Sequence, residues 1–422
     1  MYLRRDIEQT LLKAAEETAC ITIYGSRQVG KLTVVRNLFK DFQYVSLDDI
    51  ANRGLAISNP KLFLQTYKYP LIIDEIQKAP QLLDEIKIVI DNKKFEWLNN
   101  GESSKLLYVL SGSNQFELQE AVADSLAGRT YVFNLASLSY NEIAQRDAHS
   151  YFDPSIDILR DKEERFKPKA LTKETIFENI FKGGMPERIA KSVDRDKYYA
   201  SYLNTYIEKD VKKVLKNTNE FIFLKFIGFV AYRTGCQLNY DDISRNVGVD
   251  AKIIKQWISI LKTSGLIVLL EPYLSNVGDR IIKTPKIYFM DTGLAAYLCR
   301  WGSAKQLEES QMAGAFYETY IVSEIVKSYY NAGKAIFDFG SHHIYYYRDK
   351  DKKEVDLIIE TAQGIYPIEI KKGENPVSYN KNFAFLNKYN VNIVNGLVIY
   401  SGDKVFPINE SVYYCPVHMI GL

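Results

Sequence analysis

Residues 24–33 read YGSRQVGKLT. The stretch follows the apolar run ITIY and precedes TVVRNLFK, whose apolar residues recur with helical period, so a strand, a glycine-bearing turn and a helix are expected in that order. Gly25, Gly30 and Lys31 stand at the spacing of a phosphate-binding loop, with Ser26, Arg27, Gln28 and Val29 forming the turn between them. Such a loop needs glycines so that successive backbone N–H groups can wrap phosphates, and a lysine to reach the outer phosphate oxygens. It also needs a serine or threonine after the lysine to hold Mg²⁺. That position is Leu32; Thr33 comes one residue later, about 100° further round a helix of 3.6 residues per turn.

Two further segments fit the same layout. LIIDE is an apolar strand closed by Asp74 and Glu75, where Asp74 would hold Mg²⁺ and Glu75 would polarise an attacking water. LLYVLSGSNQ is a second buried strand whose end carries Ser111, Ser113 and Asn114. Ligands of parallel sheets bind beyond the carboxyl ends of the strands, so these polar groups would face a γ-phosphate. With ITIYG, QYVSL and TYVFNLA they make five buried strands separated by helical segments, an α/β nucleotide-binding layout.

Bulk properties set limits on the rest. A chain of 422 residues exceeds one ordinary core, and 46% apolar with 25% charged residues describes a globular protein. The 54 basic and 52 acidic residues nearly cancel, so a nucleic-acid surface has to be a local patch. Cys20, Cys236, Cys299 and Cys415 are scattered, without a CxxC pair, which fits a reducing, cytoplasmic setting better than a disulfide framework. The N-terminus has no uninterrupted apolar core for a signal sequence, and no run approaches the roughly 18 apolar residues that span a bilayer, so no membrane partner is expected. The 31 tyrosines are spread along the chain and read as core packing with hydroxyls reaching water.

Beyond the five strands, residues 146–170 are polar and read as a connection, and residues 171–217 as helices broken by KGGMP. Residues 220–300 give two longer helical patterns, a short one between them and two apolar stretches, the order of a winged helix. Lys252, Lys255 and Lys262 would face solvent on DAKIIKQWISILKTSG, and Arg280, Lys283 and Lys286 could touch phosphates from the ribbon. DNA binding and a packing role are equally open for this module.

The segment IYYYRDKDKKEVDLIIETAQGIYPIEIKKG reads as three strands joined by polar turns. The period of two puts Asp356 opposite Val355 and Leu357, and puts Glu369 and Lys371 on one face with Ile368 and Ile370 on the other. Two carboxylates and a lysine on one side of a hairpin suit a Mg²⁺-dependent phosphodiesterase, in which Asp356 and Glu369 hold the metal and Lys371 positions water. The alternative is an exposed charge ladder on an edge strand.

Taken together, GSRQVGK, LIIDEIQKAP, LSGSNQFEL, SLAGRTYVFNLASLSYNEI, GGMPE and YLNTYIEKDV resemble the prokaryotic AAA-type ATPases that carry a C-terminal domain of uncharacterised function. NYDDISRNVGVDAKIIKQWISILKTSGLIVLL, KTPKIYFMDTGLAAYL and GAFYETYIVSEIVK resemble that C-terminal part. The resemblance implies ATP with Mg²⁺ as cofactors and threonine as the usual residue at position 32. It also implies that Arg129 is an arginine finger or sensor, with capping a helix or pairing with a surface acid equally open for a lone arginine; an arginine acting in trans requires a homo-oligomer. The D…ExK order resembles restriction-endonuclease-like PD-(D/E)xK nucleases, with Glu318 matching the acid such sites draw from their first helix.

The expected fold class is α/β multidomain. It comprises a P-loop NTPase core (1–145), a helical lid region (146–217), a winged helix (218–305) and a C-terminal α/β restriction-endonuclease-like domain (306–422). The expected partner is nucleic acid, DNA rather than RNA. A nucleotide-stabilised non-catalytic scaffold, and a nuclease that uses the ATPase part only as a docking platform, are the alternatives.

Overall fold

The computed structural model describes residues 2–113, 122, 124–146, 150–167, 169–212, 219–273, 284–334, 343–349, 351–374, 383–389 and 391–422. They form two compact units, Met1–Ser137 with Thr263–Gly265, and Leu138–Lys262 with Leu266–Leu422. Asn114, Arg280 and Lys283 lie outside the described residues.

The first unit contains α1 (Ile7–Glu17), β1 (Cys20–Tyr24), α2 (Lys31–Leu38), β2 (Gln43–Ser46), α3 (Ile50–Ser58), α4 (Pro60–Thr66), β3 (Leu71–Asp74), α5 (Leu82–Asn100), β4 (Tyr108–Gly112) and β5 (Thr130–Asn134). All five expected strands are present, in the parallel order β2-β3-β4-β1-β5. The two faces divide the apolar residues by the period of two. Cys20, Tyr24, Leu71, Ile73, Tyr108 and Leu110 pack with Leu82, Leu83, Ile86 and Ile90 of α5. Ile21, Ile23, Ile72 and Val109 pack with Ile7 and Leu11 of α1 and Val34 and Val35 of α2. A strand covered on both faces has to be apolar throughout, which is why these segments read as unbroken runs. Each such side chain contributes about 1.5–3 kcal/mol on burial. The topology places the ends of β1, β3 and β4 side by side, and the polar residues follow there.

The second unit begins with α6 (Tyr140–Ile143), α7 (Ile156–Phe166), α8 (Lys173–Lys182), α9 (Pro186–Lys191) and α10 (Arg195–Tyr206). The expected connection at 146–170 is in part the helix α7, and it is tied to distant chain. Ser328 accepts from the Phe152 amide, Asn395 donates to the Pro154 carbonyl, and Glu163 accepts from the Val405 amide. The KGGMP loop is fixed by Asp291, which accepts from the Gly184 amide at 2.9 Å, the Tyr199 hydroxyl at 2.6 Å and the Leu294 amide at 2.9 Å. A Cβ on Gly184 would come within 2.2 Å of the Leu138 carbonyl oxygen, so the loop requires glycine there.

Next come α11 (Glu220–Tyr232), α12 (Tyr240–Val247) and α13 (Ala251–Thr263), then an antiparallel ribbon of β6 (Ile267–Leu270) and β7 (Lys286–Phe289). Ile254, Trp257, Ile258 and Leu261 bury one face of α13, and Lys252, Lys255 and Lys262 are exposed. After α14 (Thr292–Leu298), α15 (Ala304–Glu309) and α16 (Ala313–Asn331) come β8 (His343–Arg348), β9 (Glu354–Thr361), β10 (Gly364–Ile370), β11 (Gly396–Tyr400), β12 (Phe406–Pro407) and β13 (Val412–Pro416). Their sheet order is β12-β13-β11-β10-β9-β8. The first three strands form an antiparallel meander, and β11 joins β10 in parallel. β10 is therefore interior, flanked on both sides, and an edge-strand charge ladder is ruled out. No described helix is long and apolar enough to cross a membrane.

Candidate functional site

The loop after β1 is shaped by close approach and by backbone sign. A Cβ on Gly25 would lie 2.0 Å from the Leu135 carbonyl oxygen, so only glycine lets the chain pass the end of β5. Gly30 caps α2 at φ 92° and ψ 19°, a left-handed conformation that glycine adopts without strain. Gln28 is also left-handed at φ 60°. Lys31 is buried and donates to the carbonyls of Gly25 at 2.8 Å and Ser26 at 3.0 Å, curling the loop around its ammonium. The fit to a phosphate chain is good: a backbone turn with glycine at both ends, leading into a helix N-terminus.

Leu32 is half-buried and packs against the core beneath α1 and α2, while Thr33 is exposed. A Mg²⁺ ion, which usually retains several waters, would take one in place of a side-chain hydroxyl at position 32.

The carboxylates at the end of β3 are held by β4. Ser111 donates to Asp74 at 2.6 Å, and Ser113 donates to Glu75 at 3.0 Å, with Gln77 on the same Glu75 oxygen. Burial pushes the Asp74 carboxyl above its usual range, the Ser111 hydrogen bond opposes this, Glu75 adds to it, and Lys31 lowers it. Glu75 sits at φ 56° and ψ 44°, a left-handed position for a non-glycine residue, of the kind that clusters at functional sites. The loop, both carboxylates and both serines thus converge as expected.

Arg129 is placed differently. Its guanidinium makes a two-pronged contact with Asp91 on α5, at 2.7 and 2.9 Å, and donates to Ala127. Arg5, which the sequence did not single out, is buried and donates to the Val29 carbonyl at 2.8 Å and to the Ala136 carbonyl at 2.9 Å. It pins the loop to the chain after β5.

In the second unit Glu318 and Glu369 both act on the Asp356 carboxyl, and Glu318 is bonded by a residue outside the D…ExK order. Lys286 of β7 is 2% exposed and bonds Glu318 at 2.9 Å and Glu354. Its expected contact with phosphates is therefore corrected: the ammonium is buried among carboxylates. Tyr288 donates to the same Glu318 oxygen at 2.5 Å, and Arg348 holds the other oxygen of Glu354 at 3.0 Å. Asp356 accepts from the Ile370 amide at 2.7 Å, and Lys371 donates to Glu369 at 2.5 Å. The second Glu369 oxygen is buried without a hydrogen-bond partner among the described residues. Burial, reinforced by Glu318 and Glu369, holds the Asp356 carboxyl well above its usual range, and burial raises Glu369 as well.

Mg²⁺ does not fit this arrangement. Among the described residues no three acidic, histidine or cysteine side chains are grouped to hold a metal ion, and an ammonium already lies between Glu318 and Glu354.

Residues 17–144 match the family model described as AAA domain. The match covers most of the first unit. Residues 173–305 and 313–420 match two domains of unknown function, DUF8612 and DUF4143. Uncharacterized proteins of Mycobacterium bovis and Mycobacterium tuberculosis are each 21% identical over 421 residues, covering 99% of this chain and 84% of theirs. Among solved structures, the Walker-type ATPase of Pyrococcus abyssi aligns with a TM-score of 0.43 at 13% identity, over 71% of this chain and 96% of that one. The ORC2 protein of Aeropyrum pernix aligns with a TM-score of 0.35 at 13% identity, over 74% of this chain and 91% of that one.

Proposed function

We propose that this chain binds ATP with Mg²⁺ in the loop of residues 25–33, hydrolyses it slowly, and uses nucleotide state to set the affinity of residues 138–422 for DNA. The observation that carries the reading is the joined polar array at the strand ends: Lys31 in the loop, Asp74 held by Ser111, and Glu75 held by Ser113. The loop amides and Lys31 bind phosphate, which requires the ammonium to exchange the Gly25 and Ser26 carbonyls for phosphate oxygens. Asp74 would hold the cation, whose role is to neutralise phosphate charge. Glu75 orients and polarises water, and Ser113 fixes the Glu75 carboxylate on the correct side. Leu32 slows turnover by removing one ligand. Arg129 acts on phosphate only across a homo-oligomer, after leaving Asp91.

For the second unit, three helices followed by a ribbon support a winged helix. A helix followed by a meander and a parallel strand supports the restriction-endonuclease-like fold. Both folds commonly face DNA, and exposed Lys252, Lys255 and Lys262 give a modest basic face. The four unpaired cysteines accord with a cytoplasmic protein. A non-catalytic nucleotide-stabilised scaffold is the second reading, favoured by Leu32.

The test is DNA affinity of the purified chain, measured without nucleotide, with ADP and with a non-hydrolysable ATP analogue. A change of at least about tenfold, or 1.4 kcal/mol, is expected between the nucleotide states. Equal affinities in all three, with saturating nucleotide bound, would leave the scaffold reading standing.

A further inference from the structure

The C-terminal cluster gathers four carboxylates: Glu318 and Glu354 share the Lys286 ammonium, and Glu318 and Glu369 both act on the Asp356 carboxyl. They come from three elements: α16, β9 and β10. Among the described residues three cations answer them: Lys371 bonds Glu369, Arg348 bonds Glu354, and Lys286 bonds both Glu318 and Glu354. Lys286 differs from the other two in burial. Its side chain is 3% exposed, against 30% for Lys371 and 35% for Arg348. It also arrives from outside the sheet, on the ribbon strand β7, whose backbone bridges Gln237. Gln237 in turn donates to the Tyr346 hydroxyl, and the Lys286 ammonium lies 5.5 Å from the centre of the Tyr346 ring. A buried cation with this many anchors is held by the fold and does not drift as a surface lysine does.

We infer that Lys286 is the resident cation of the C-terminal acidic cluster, occupying the place a divalent metal would take, so that the second unit meets DNA as a binding module and does not cleave it. The inference rests on the nuclease-like reading of this unit and specifies how that site is filled. Two observations separate it from an ordinary ion pair. Lys286 is shared between two acids on different elements, as a metal is, and Tyr288 donates to the same Glu318 oxygen that Lys286 bonds. Meanwhile one buried oxygen of Glu369 has no hydrogen-bond partner among the described residues, an acceptor that the lysines of the cluster leave unused.

The experiment is a titration of the full-length, nucleotide-free chain with MnCl₂, following the loss of the free Mn²⁺ paramagnetic resonance signal. Wild type and Asp356→Asn are expected to bind the same number of ions, because the cluster is closed. Lys286→Met, which keeps the length of the side chain without its charge, is expected to gain one Mn²⁺ site. Combining it with Asp356→Asn should remove that site or weaken it at least tenfold. Lys286→Gln replaces the methionine variant if circular dichroism shows the latter unfolded, and the wild-type comparison decides without either. An Asp356-dependent Mn²⁺ site in the wild type overturns the inference and restores metal-dependent cleavage. So does a folded Lys286→Met that gains no site, since the lysine is then not what closes the cluster. DNA affinity measured on the same preparations reports separately on the nucleic-acid reading: its absence would sink that reading whatever the metal result.

Discussion

Replacing Leu32 by threonine separates the two duties of position 32. In the structure its side chain packs at the margin of the core formed with α1, so the substitution removes about two carbons' worth of apolar contact. At about 0.8 kcal/mol per buried methylene, halved for a half-buried position, the loss is roughly 0.8 kcal/mol. The lower helix propensity of a β-branched residue adds about 0.5 kcal/mol. The nucleotide-free variant should therefore be less stable by about 1.3 kcal/mol, a fall of roughly 5 °C in the melting temperature of a unit this size. With Mg²⁺-ATP the sign changes. A hydroxyl contact with a charged partner contributes about 1.5 kcal/mol, equivalent to about tenfold tighter binding. At saturating ligand that gain adds directly to the stability of the folded state and cancels the deficit. Thermal unfolding with and without Mg²⁺-ATP, alongside phosphate release, reads both halves, and turnover should rise at least tenfold. Unchanged melting in the absence of nucleotide, together with no extra shift from Mg²⁺-ATP, would refute the placement of Leu32 in both roles.

Three other outcomes follow from the same geometry. Ser113→Ala should leave ATP binding within about twofold of wild type while phosphate release falls about 10- to 100-fold, since Glu75 loses the hydroxyl that orients it; equal losses in both assays would move Ser113 to a binding role. Arg5→Met removes two hydrogen bonds from a buried guanidinium, so urea unfolding should show a loss of about 3 kcal/mol, with weaker ATP binding as the loop is released; unchanged ATP affinity in a folded variant would uncouple Arg5 from the loop. Asp356 is held above the carboxylate range in the folded state, so it binds its proton more tightly there than in the unfolded chain, and its contribution to stability declines as pH rises from about 4 through the folded value. Asp356→Asn should therefore gain stability relative to wild type between pH 5 and pH 8 in denaturant titrations, and a constant difference across that range would contradict the assignment.

Much of the first unit is legible in sequence because its central strands β1, β3 and β4 are covered on both faces, and such strands can only be apolar runs ending at polar residues. Asp74, Glu75, Ser111 and Ser113 were readable for the same reason: each stands where an apolar run stops. The sheet order was not readable, because strand runs do not encode their neighbours.

In the second unit the alternation of β9 and β10 is real, but the inference of an open polar face was not. β10 is buried along nearly its whole length. The carboxylates there are answered by Lys371, Arg348 and Lys286, and nothing near Lys286 in the chain reveals partners on α16 and β9. Arg129 shows the same limit: an arginine in SLAGRT looks alike whether it awaits a phosphate or holds Asp91, and only the fold reveals the latter. Arg5 gave no signal, since its acceptors are backbone carbonyls, which every residue has.

The most direct test of the account is equilibrium binding of ATP to the full-length protein, with and without Mg²⁺, for wild type and Lys31→Ala. Saturable binding by the wild type that Mg²⁺ tightens is expected, with loss of that binding in Lys31→Ala and thermal stability otherwise preserved. Binding that is absent in the wild type, or undiminished when Lys31 is removed, would mean that the loop YGSRQVGKLT keeps the fold of a nucleotide site without its function.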